Sequence, residues 1–203
     1  MLAETLKEKF GYDTPIFTDE IISLFPQYTR AYIFRLIKSS EAEGSLSRLD
    51  TGIYYVPQMT PFGPSVITAS DVARKRYVES GDNTYGIYSG LILQNAFSAT
   101  TQMTNTPEIV TNRESTRCRK ITIDGMPFII RKSRLEITRN NVPVYKILQL
   151  FTETNGLEIT DTVKQAVNDY INKNEISRNS ILELSPYFPA RTLKNMVCSG
   201  VIC

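Results

Sequence analysis

Three acidic residues in the middle of the chain, Glu108, Glu114 and Asp124, are the first candidates for chemistry, and Lys120 lies between the last two. Carboxylates that converge on a hard cation can support metal-assisted cleavage of a phosphodiester, and a lysine could complete such a site. A turn is expected between Glu108 and Glu114, however, and the spacing does not force the acids together. A metal-dependent nuclease is therefore one of three functional classes that the sequence leaves open.

The absence of histidine from all 203 residues excludes most other enzymatic chemistry. It removes Ser-His-Asp and Cys-His catalysis, His-ligated metal sites and the usual general base near neutral pH. Walker-type, dinucleotide-binding and Cys-x-x-Cys motifs are also missing. Cys118, Cys198 and Cys203 form no metal-type pair and are an odd set for disulfides, which predicts free thiols in a reducing cytoplasm. The leading prediction is a protein with no enzymatic activity, catalytic residue, metal or cofactor.

The basic residues form local groups on a chain whose formal net charge is only +2. Between Phe25 and Ser40 every charged residue is positive. Basic segments on an otherwise balanced chain are typical of a surface that faces phosphate. The three groups are Arg30, Arg35 and Lys38; Arg113, Arg117, Arg119 and Lys120; and Arg131, Lys132 and Arg134. For the second and third groups, an ordinary solvated surface is an equally good interpretation.

Helices near the N-terminus must position the first basic group. Apolar residues at every fourth position of residues 2–10 predict a helix that ends at Gly11. Thr18 is expected to cap a second helix, Pro26–Tyr28 to turn the chain, and Gly44 to end a third helix. Helical spacing predicts that the third helix buries Ile33, Leu36, Ile37 and Ser40 and directs its basic residues outward.

A hairpin is predicted directly after the third helix. Residues 45–49 and 52–56 are rich in strand formers on either side of Asp50-Thr51-Gly52. A helix-turn-helix followed by such a hairpin is the order of a winged helix, which presents one helix to a DNA groove. The predicted DNA-binding residues are Tyr28, Thr29, Arg30, Arg35, Lys38 and Arg48, the last of which lies on the hairpin.

Residues 57–65, with three prolines and a glycine, are predicted to link a winged-helix domain (1–60) to a larger α+β domain (66–203). The larger domain is expected to combine a small antiparallel sheet with C-terminal helices. Its predicted elements are helices 66–79 and 90–97, strands 85–88, 106–111, 119–124 and 127–134, and helices 144–151, 162–172, 179–184 and 190–197, with breaks at Gly156 and Pro186. Phe188–Thr192 echoes Phe25–Thr29, which chance explains better than a second helix-turn-helix.

The segment Gly52–Pro57 (GIYYVP) closes a winged helix that is similar to the N-terminal module of the AbiEi family of bacterial antitoxins. Asp71–Lys75 and Ser89-Gly90-Leu91 extend the resemblance. Phe97–Met103 (FSATTQM) resembles that family's Leu-Gly-Leu-Thr/Ser-Thr-Gln segment, although Phe97-Ser98 stands where the family often has Gly-Leu. The resemblance covers roughly residues 5–150, and the last fifty residues match only in being helical.

The resemblance implies that the winged helix represses its own operon and that the larger domain neutralises a co-encoded nucleotidyltransferase-like toxin in phage defence by abortive infection. The expected partners are operator DNA and that toxin, and the second and third basic groups are the expected neutralising surface. No apolar stretch approaches the ~20 residues that a membrane-spanning helix needs, so no membrane partner is expected. The third functional class is a winged-helix regulator whose larger domain senses a ligand or mediates oligomerisation.

Overall fold

The computed structural model describes residues 2–154 and 159–202, and the chain divides into unit 1 (Met1–Lys75) and unit 2 (Arg76–Cys203). Both units mix helices with small sheets, as the predicted α+β class requires. The predicted break at Gly156 and the thiol of Cys203 lie outside the described residues. Cys118 and Cys198 are free and exposed, as predicted.

Unit 1 begins with helices and ends with short strands and a last helix. Its elements are α1 (Leu2–Phe10), β1 (Ile16–Phe17), α2 (Thr18–Leu24), α3 (Arg30–Ala42), β2 (Ser47–Asp50), β3 (Ile53–Tyr55), β4 (Met59–Thr60), β5 (Gly63–Pro64) and α4 (Ala69–Ala73). The first three strands form an antiparallel sheet in the order β1-β3-β2. Apolar residues of α1, α2 and α3 pack on this sheet, and Leu6, Ile16, Ile21 and Ile33 are completely buried.

The predicted boundaries of the first three helices of unit 1 hold closely, with one change at the start of α2. Gly11 and Gly44 follow their helices with positive φ angles of 80° and 73°, the backbone that glycine adopts at low cost. Thr18 is the first helical residue rather than the cap, and its hydroxyl donates to the Gly52 carbonyl oxygen at 3.2 Å. The Glu20 carboxylate instead accepts the backbone N–H of Phe17 at 2.8 Å, which satisfies one of the free donors of the helix start.

The segment predicted to link two domains is instead a short hairpin of unit 1. β4 and β5 pair across residues 61–62, and the Gln58 N–H donates to the Ser65 hydroxyl at 2.8 Å. The Tyr55 hydroxyl also donates to the Ser65 carbonyl oxygen, at 3.3 Å. These contacts bind the Pro-containing segment to the preceding strands, and the division between the units falls after Lys75. A π-helical turn, Arg74–Val78, follows α4 where a continuous helix to residue 79 was predicted.

Unit 2 contains a four-stranded sheet and five helices within its described residues. Its elements are β6 (Glu79–Ser80), β7 (Asn83–Thr84), β8 (Gly86–Ser89), α5 (Leu91–Ala96), β9 (Glu108–Thr111), β10 (Cys118–Ile123), β11 (Met126–Lys132), α6 (Val142–Glu153), α7 (Asp161–Lys173), α8 (Arg178–Leu184) and α9 (Ala190–Cys198). A 3₁₀ turn, Ser185–Tyr187, joins α8 to α9 at the predicted break. α6 carries the largest share of the core, including Tyr145, Leu148 and Phe151.

The main sheet of unit 2 is mixed rather than wholly antiparallel. Its order is β10-β11-β9-β8, in which β9 and β11 run parallel and the outer pairs run antiparallel. The chain leaves β9 through residues 112–117 and forms β10 at the edge of the sheet. It then returns as β11, which lies between β10 and β9. The hairpin turn lies at the predicted Asp124-Gly125, whose φ angles of 45° and 75° suit a tight two-residue connection.

Candidate nucleic-acid interface

α3 is held at its start by the turn that precedes it. Thr29 has extended backbone angles, and its hydroxyl accepts the backbone N–H of Tyr32 at 3.3 Å. This is the geometry of an N-cap, and it gives Thr29 a structural role in addition to the predicted contact with DNA. Ile33, Ile37 and Ser40 are buried as predicted, whereas Leu36 is half-buried.

The outward face of α3 carries only positive charge over most of its length. Arg30, Arg35 and Lys38 are exposed, and none of them forms an ion pair with any residue in 2–154 or 159–202. The acidic residues of the helix are confined to its C-terminal end, where the Glu43 carboxylate accepts the Ser39 hydroxyl at 2.9 Å. Because internal carboxylates do not neutralise these three cations, they are available to phosphate oxygens.

Aromatic side chains lie beside this basic face. Tyr28 and Tyr32 are about two-fifths exposed, with ring centroids 4.9 Å apart, and Phe25 stacks on Tyr28 at 6.2 Å. Phe34 on α3 is also about two-fifths exposed. The sequence predicted Tyr28 as a contact, whereas helical spacing placed Phe34 beside the outward face of the helix without predicting a contact for it. These exposed rings provide apolar surface beside the cations, which a partner can cover and so remove from water.

Arg48 extends from the hairpin but is partly engaged by it. Its Nε donates to the Asp50 carbonyl oxygen and its Nη2 to the Thr51 hydroxyl, both at 3.2 Å. The side chain remains exposed, so it can still meet a phosphate. Its hydrogen bonds also hold the turn between β2 and β3, so a substitution here would change the hairpin as well as the charge.

In the second basic group, two side chains interact with other residues of unit 2, and two are exposed without an ion pair to the described residues. The Arg113 guanidinium stacks 3.4 Å from the Tyr85 ring centroid and donates to the Arg76 carbonyl oxygen at 3.1 Å. Arg119 forms an ion pair at 2.9 Å with Glu114, whose side chain is only 4% exposed. Arg117 and Lys120 are exposed, and among the described residues they have no ion-pair partner.

The third basic group is divided in the same way. Arg131 pairs with Glu108 at 2.8 Å, and the Arg134 guanidinium lies 5.7 Å from the Phe188 ring centroid. Lys132 is exposed on β11. Of the cations in the predicted neutralising surface, Arg117, Lys120 and Lys132 form no ion pair or aromatic contact with the described residues. Arg134 lies over an aromatic ring.

The three acids considered for metal-assisted chemistry are not brought together. Glu108 is occupied by Arg131 and Glu114 by Arg119, while Asp124 lies in the turn of the β10–β11 hairpin. Within the described part of the chain, no group of three acids, cysteines or histidines could hold a metal ion. The constellation that motivated a nuclease is thus not assembled by the fold.

Lys75 is a largely buried cation of unit 1 that sequence reasoning did not single out. Its Nζ lies 2.8 Å from a Glu20 carboxylate oxygen, donates to the Pro15 carbonyl oxygen at 2.6 Å, and lies over the Phe10 ring at 4.8 Å. It anchors the end of the unit rather than facing solvent. Its only sequence signal was its place in the Asp71–Lys75 segment of the family resemblance.

Comparison with known proteins does not assign the chain to a family. No protein-family model and no curated protein matches the chain. None of the helices in the described residues is long and apolar enough to cross a membrane.

Proposed function

We propose that the protein is a DNA-binding antitoxin of the AbiEi type, in which unit 1 is a winged helix that represses its own promoter. The observation that carries the proposal is the outward face of α3, where Arg30, Arg35 and Lys38 form no ion pair with any residue that the structure describes. The element order of unit 1 supports it, since the two helices α2 and α3 are followed by the β2–β3 hairpin, which is the order of a helix-turn-helix with a wing.

In this proposal α3 enters the major groove. The exposed side chains of Tyr28, in the turn before α3, and of Arg30 and Arg35 on the helix meet base edges and phosphates, and Lys38 meets the backbone further along. Arg48 on the wing contacts an adjacent phosphate while holding its own turn. A basic face of this kind gives affinity that depends strongly on salt.

Unit 2 is proposed to neutralise a nucleotidyltransferase-like toxin encoded beside the antitoxin. The uncommitted cations Arg117, Lys120 and Lys132 are the proposed contact surface, because Arg113, Arg119 and Arg131 are already used within the unit. An ion pair that stabilises unit 2 cannot be given up to a partner without loss of stability.

Binding to DNA from upstream of its own reading frame tests the repressor role. Fluorescence anisotropy with the full chain should show that Arg35→Ala and Lys38→Ala each weaken binding several-fold. Lys9→Ala is the matched control, because it removes an exposed positive charge of the same unit from α1. Equal weakening by the control variant, or no binding by the unaltered protein, would contradict the proposal.

Rescue of cells that express the toxin tests the antitoxin role separately. The triple variant Arg117→Ala, Lys120→Ala, Lys132→Ala should lose rescue while it keeps DNA binding. The control is Lys173→Ala with Arg178→Ala, which removes exposed charge from helices α7 and α8. Full rescue by the triple variant would remove this surface from the proposal.

The second candidate is a winged-helix regulator whose unit 2 senses a small ligand. It is favoured by a cleft in unit 2 that is lined by charged side chains and described in the next subsection. A ligand that changes DNA affinity would support this candidate over the antitoxin.

A further inference from the structure

Two adjoining cavities lie in unit 2 where the end of α6 meets the start of α9. Their volumes are about 340 and 420 Å³, and they share Thr152, Glu153 and Arg191 in their linings. Volumes of this size are typical of small-molecule sites. A recess this small cannot admit a DNA duplex, so any ligand must be a small molecule or an end group.

The walls of this cleft carry more positive than negative charge. Arg134, Arg191 and Lys194 line it, and among residues 2–154 and 159–202 none of the three forms an ion pair. Glu108 also lines it but is neutralised by Arg131 at 2.8 Å. Three unpaired cations therefore face a single remaining carboxylate.

That carboxylate, Glu153, is held in place by donors. It accepts the Gly90 backbone N–H at 2.9 Å and the Gln149 amide at 2.6 Å. Burial raises the pKa of Glu153 despite these hydrogen bonds, and the nearby Glu108 raises it further. The environment thus disfavours negative charge at this point of the cleft, which reduces repulsion toward an anion.

A buried hydroxyl in the second cavity has no partner. Thr154 is 7% exposed, it lines this cavity, and within the described residues its Oγ1 makes no hydrogen bond. The neighbouring carbonyl oxygens at the end of α6, those of Phe151 and Thr154, are satisfied by the Asn195 amide at 3.1 Å each. Because buried polar groups are nearly always paired, this free hydroxyl, on a residue that lines the same cavity as Arg191 and Lys194, indicates a ligand that accepts hydrogen bonds.

We propose that this cleft binds the phosphate groups of a small phosphorylated ligand, with Arg191, Lys194 and the Thr154 hydroxyl as its donors. Arg134, fixed over Phe188, provides the positive charge at the other end of the cleft. Guanidinium groups match phosphate geometry and remain charged at all physiological pH values. Two or more linked phosphates suit a cleft whose cations line two adjoining cavities. The site is independent of the proposed DNA binding, because its residues all belong to unit 2.

Isothermal titration of the full chain with pyrophosphate and with a nucleoside triphosphate tests the proposal. The double variant Arg191→Ala, Lys194→Ala should bind either probe about tenfold more weakly or worse. The double variant Lys173→Ala, Arg178→Ala removes the same charge from exposed positions outside the cleft and should bind as the unaltered protein does. Circular dichroism of each variant verifies that unit 2 is folded.

The two probes distinguish the sources of the phosphate. Equal affinity would show that two linked phosphates are sufficient for recognition, and tighter binding of the triphosphate would show that its third phosphate or its nucleoside is also contacted. The proposal is overturned if neither probe binds at millimolar concentration, or if the cleft variant and its control bind equally.

Glu153→Gln provides a second and opposite test. The amide oxygen can still accept the Gly90 N–H, but residue 153, which lines both cavities together with Arg191, can no longer carry a negative charge. Affinity for both probes should therefore rise severalfold near neutral pH. A fall in affinity, with the fold retained, would mean that the carboxylate recognises the ligand directly and that the cleft is not an anion site.

Discussion

Replacing Glu114 should destabilise unit 2 and leave partner binding unchanged, because this carboxylate organises the crossover loop between β9 and β10. One carboxylate oxygen accepts the backbone N–H groups of Ser115 and Thr116, at 3.0 Å each, and the Thr116 hydroxyl at 2.9 Å. The other accepts Nε and Nη2 of Arg119 at 3.0 and 2.9 Å. These contacts fix the loop that places β10 at the sheet edge and leaves room for β11.

The expected loss in the free energy of unfolding depends on how deeply the ion pair is buried and on which polar groups each variant leaves unpaired. Glu114→Gln keeps the shape but places an amide donor or a weaker acceptor against Arg119. Removing one partner of a buried ion pair costs about 3–5 kcal/mol, but Arg119 is half-exposed and can be rehydrated, so we expect about 2–3 kcal/mol. Arg119→Ala leaves three donors on the carboxylate and should cost only about 1 kcal/mol.

Urea unfolding followed by far-ultraviolet circular dichroism measures this loss. Only the transition of unit 2 should move, by about 1 M or more for Glu114→Gln, since small domains have m-values of about 1–3 kcal/mol per M. A loss of stability below about 0.5 kcal/mol would refute the structural role of Glu114. Retained rescue of toxin-expressing cells by Arg119→Ala would separately verify that this arginine is not part of the neutralising surface.

The pH dependence of the same variant gives an independent check. Burial opposes ionisation, but the hydrogen bonds from Thr116 and the charge of Arg119 outweigh it, so the pKa of Glu114 lies below its ordinary value. The contribution to stability is then complete above the pKa of the unfolded chain, about 4.3, and is lost as the pH falls through the lower folded pKa. The difference between the unaltered protein and Glu114→Gln should therefore shrink below about pH 4.

Two further substitutions test the packing of each unit. Gly86→Ala should prevent unit 2 from folding, seen as insolubility or loss of its unfolding transition, because a Cβ there would overlap the Tyr77 carbonyl oxygen and lie 2.8 Å from that of Val110. Lys75→Met should destabilise unit 1 by about 1–3 kcal/mol in urea unfolding, because Glu20 loses a partner that is itself largely buried. Arg74→Met, whose ion pair with Asp71 is long and exposed, is the matched control and should change stability by less than about 0.5 kcal/mol.

Local patterns predicted the elements well because their causes are local. Apolar spacing placed α1, α3 and α6 to within a few residues, and the Asp124-Gly125 pair correctly marked a hairpin. Glycine at a helix end and asparagine- or aspartate-glycine turns depend on the backbone of neighbouring residues, which the sequence displays directly.

What failed depends on residues that are distant in sequence. The Pro-containing segment 57–65 resembled a linker, but its hydrogen bonds to Tyr55 and within the β4–β5 hairpin bind it to unit 1. The parallel pairing of β9 with β11 follows from a crossover that strand patterns do not encode. Local composition favours an element but does not specify its partner.

The candidate sites show the same limit. The basic face of α3 could be predicted because helical spacing alone separates its buried and exposed residues. The sequence could not predict which arginines of unit 2 interact within the unit. Arg113 stacks on the ring of Tyr85 and Arg131 pairs with Glu108, and both partners are distant in sequence. The phosphate cleft was missed because Gly90, Glu153 and Arg191 come from three separate regions of the chain, although Gly90 and Arg191 each lay in a segment that the sequence had singled out.

The salt dependence of DNA binding tests the central claim, that the outward face of α3 binds the phosphate backbone. Affinity for upstream DNA should be measured across a salt series for the full chain, for Arg35→Ala with Lys38→Ala, and for Lys9→Ala with Arg178→Ala. If the α3 residues meet phosphates, the slope of log affinity against log salt should fall by about 0.9 for each lost contact, or nearly two in the α3 variant, and remain unchanged in the control. An unchanged slope in the α3 variant, with binding retained, would place the DNA-binding surface elsewhere and contradict the account.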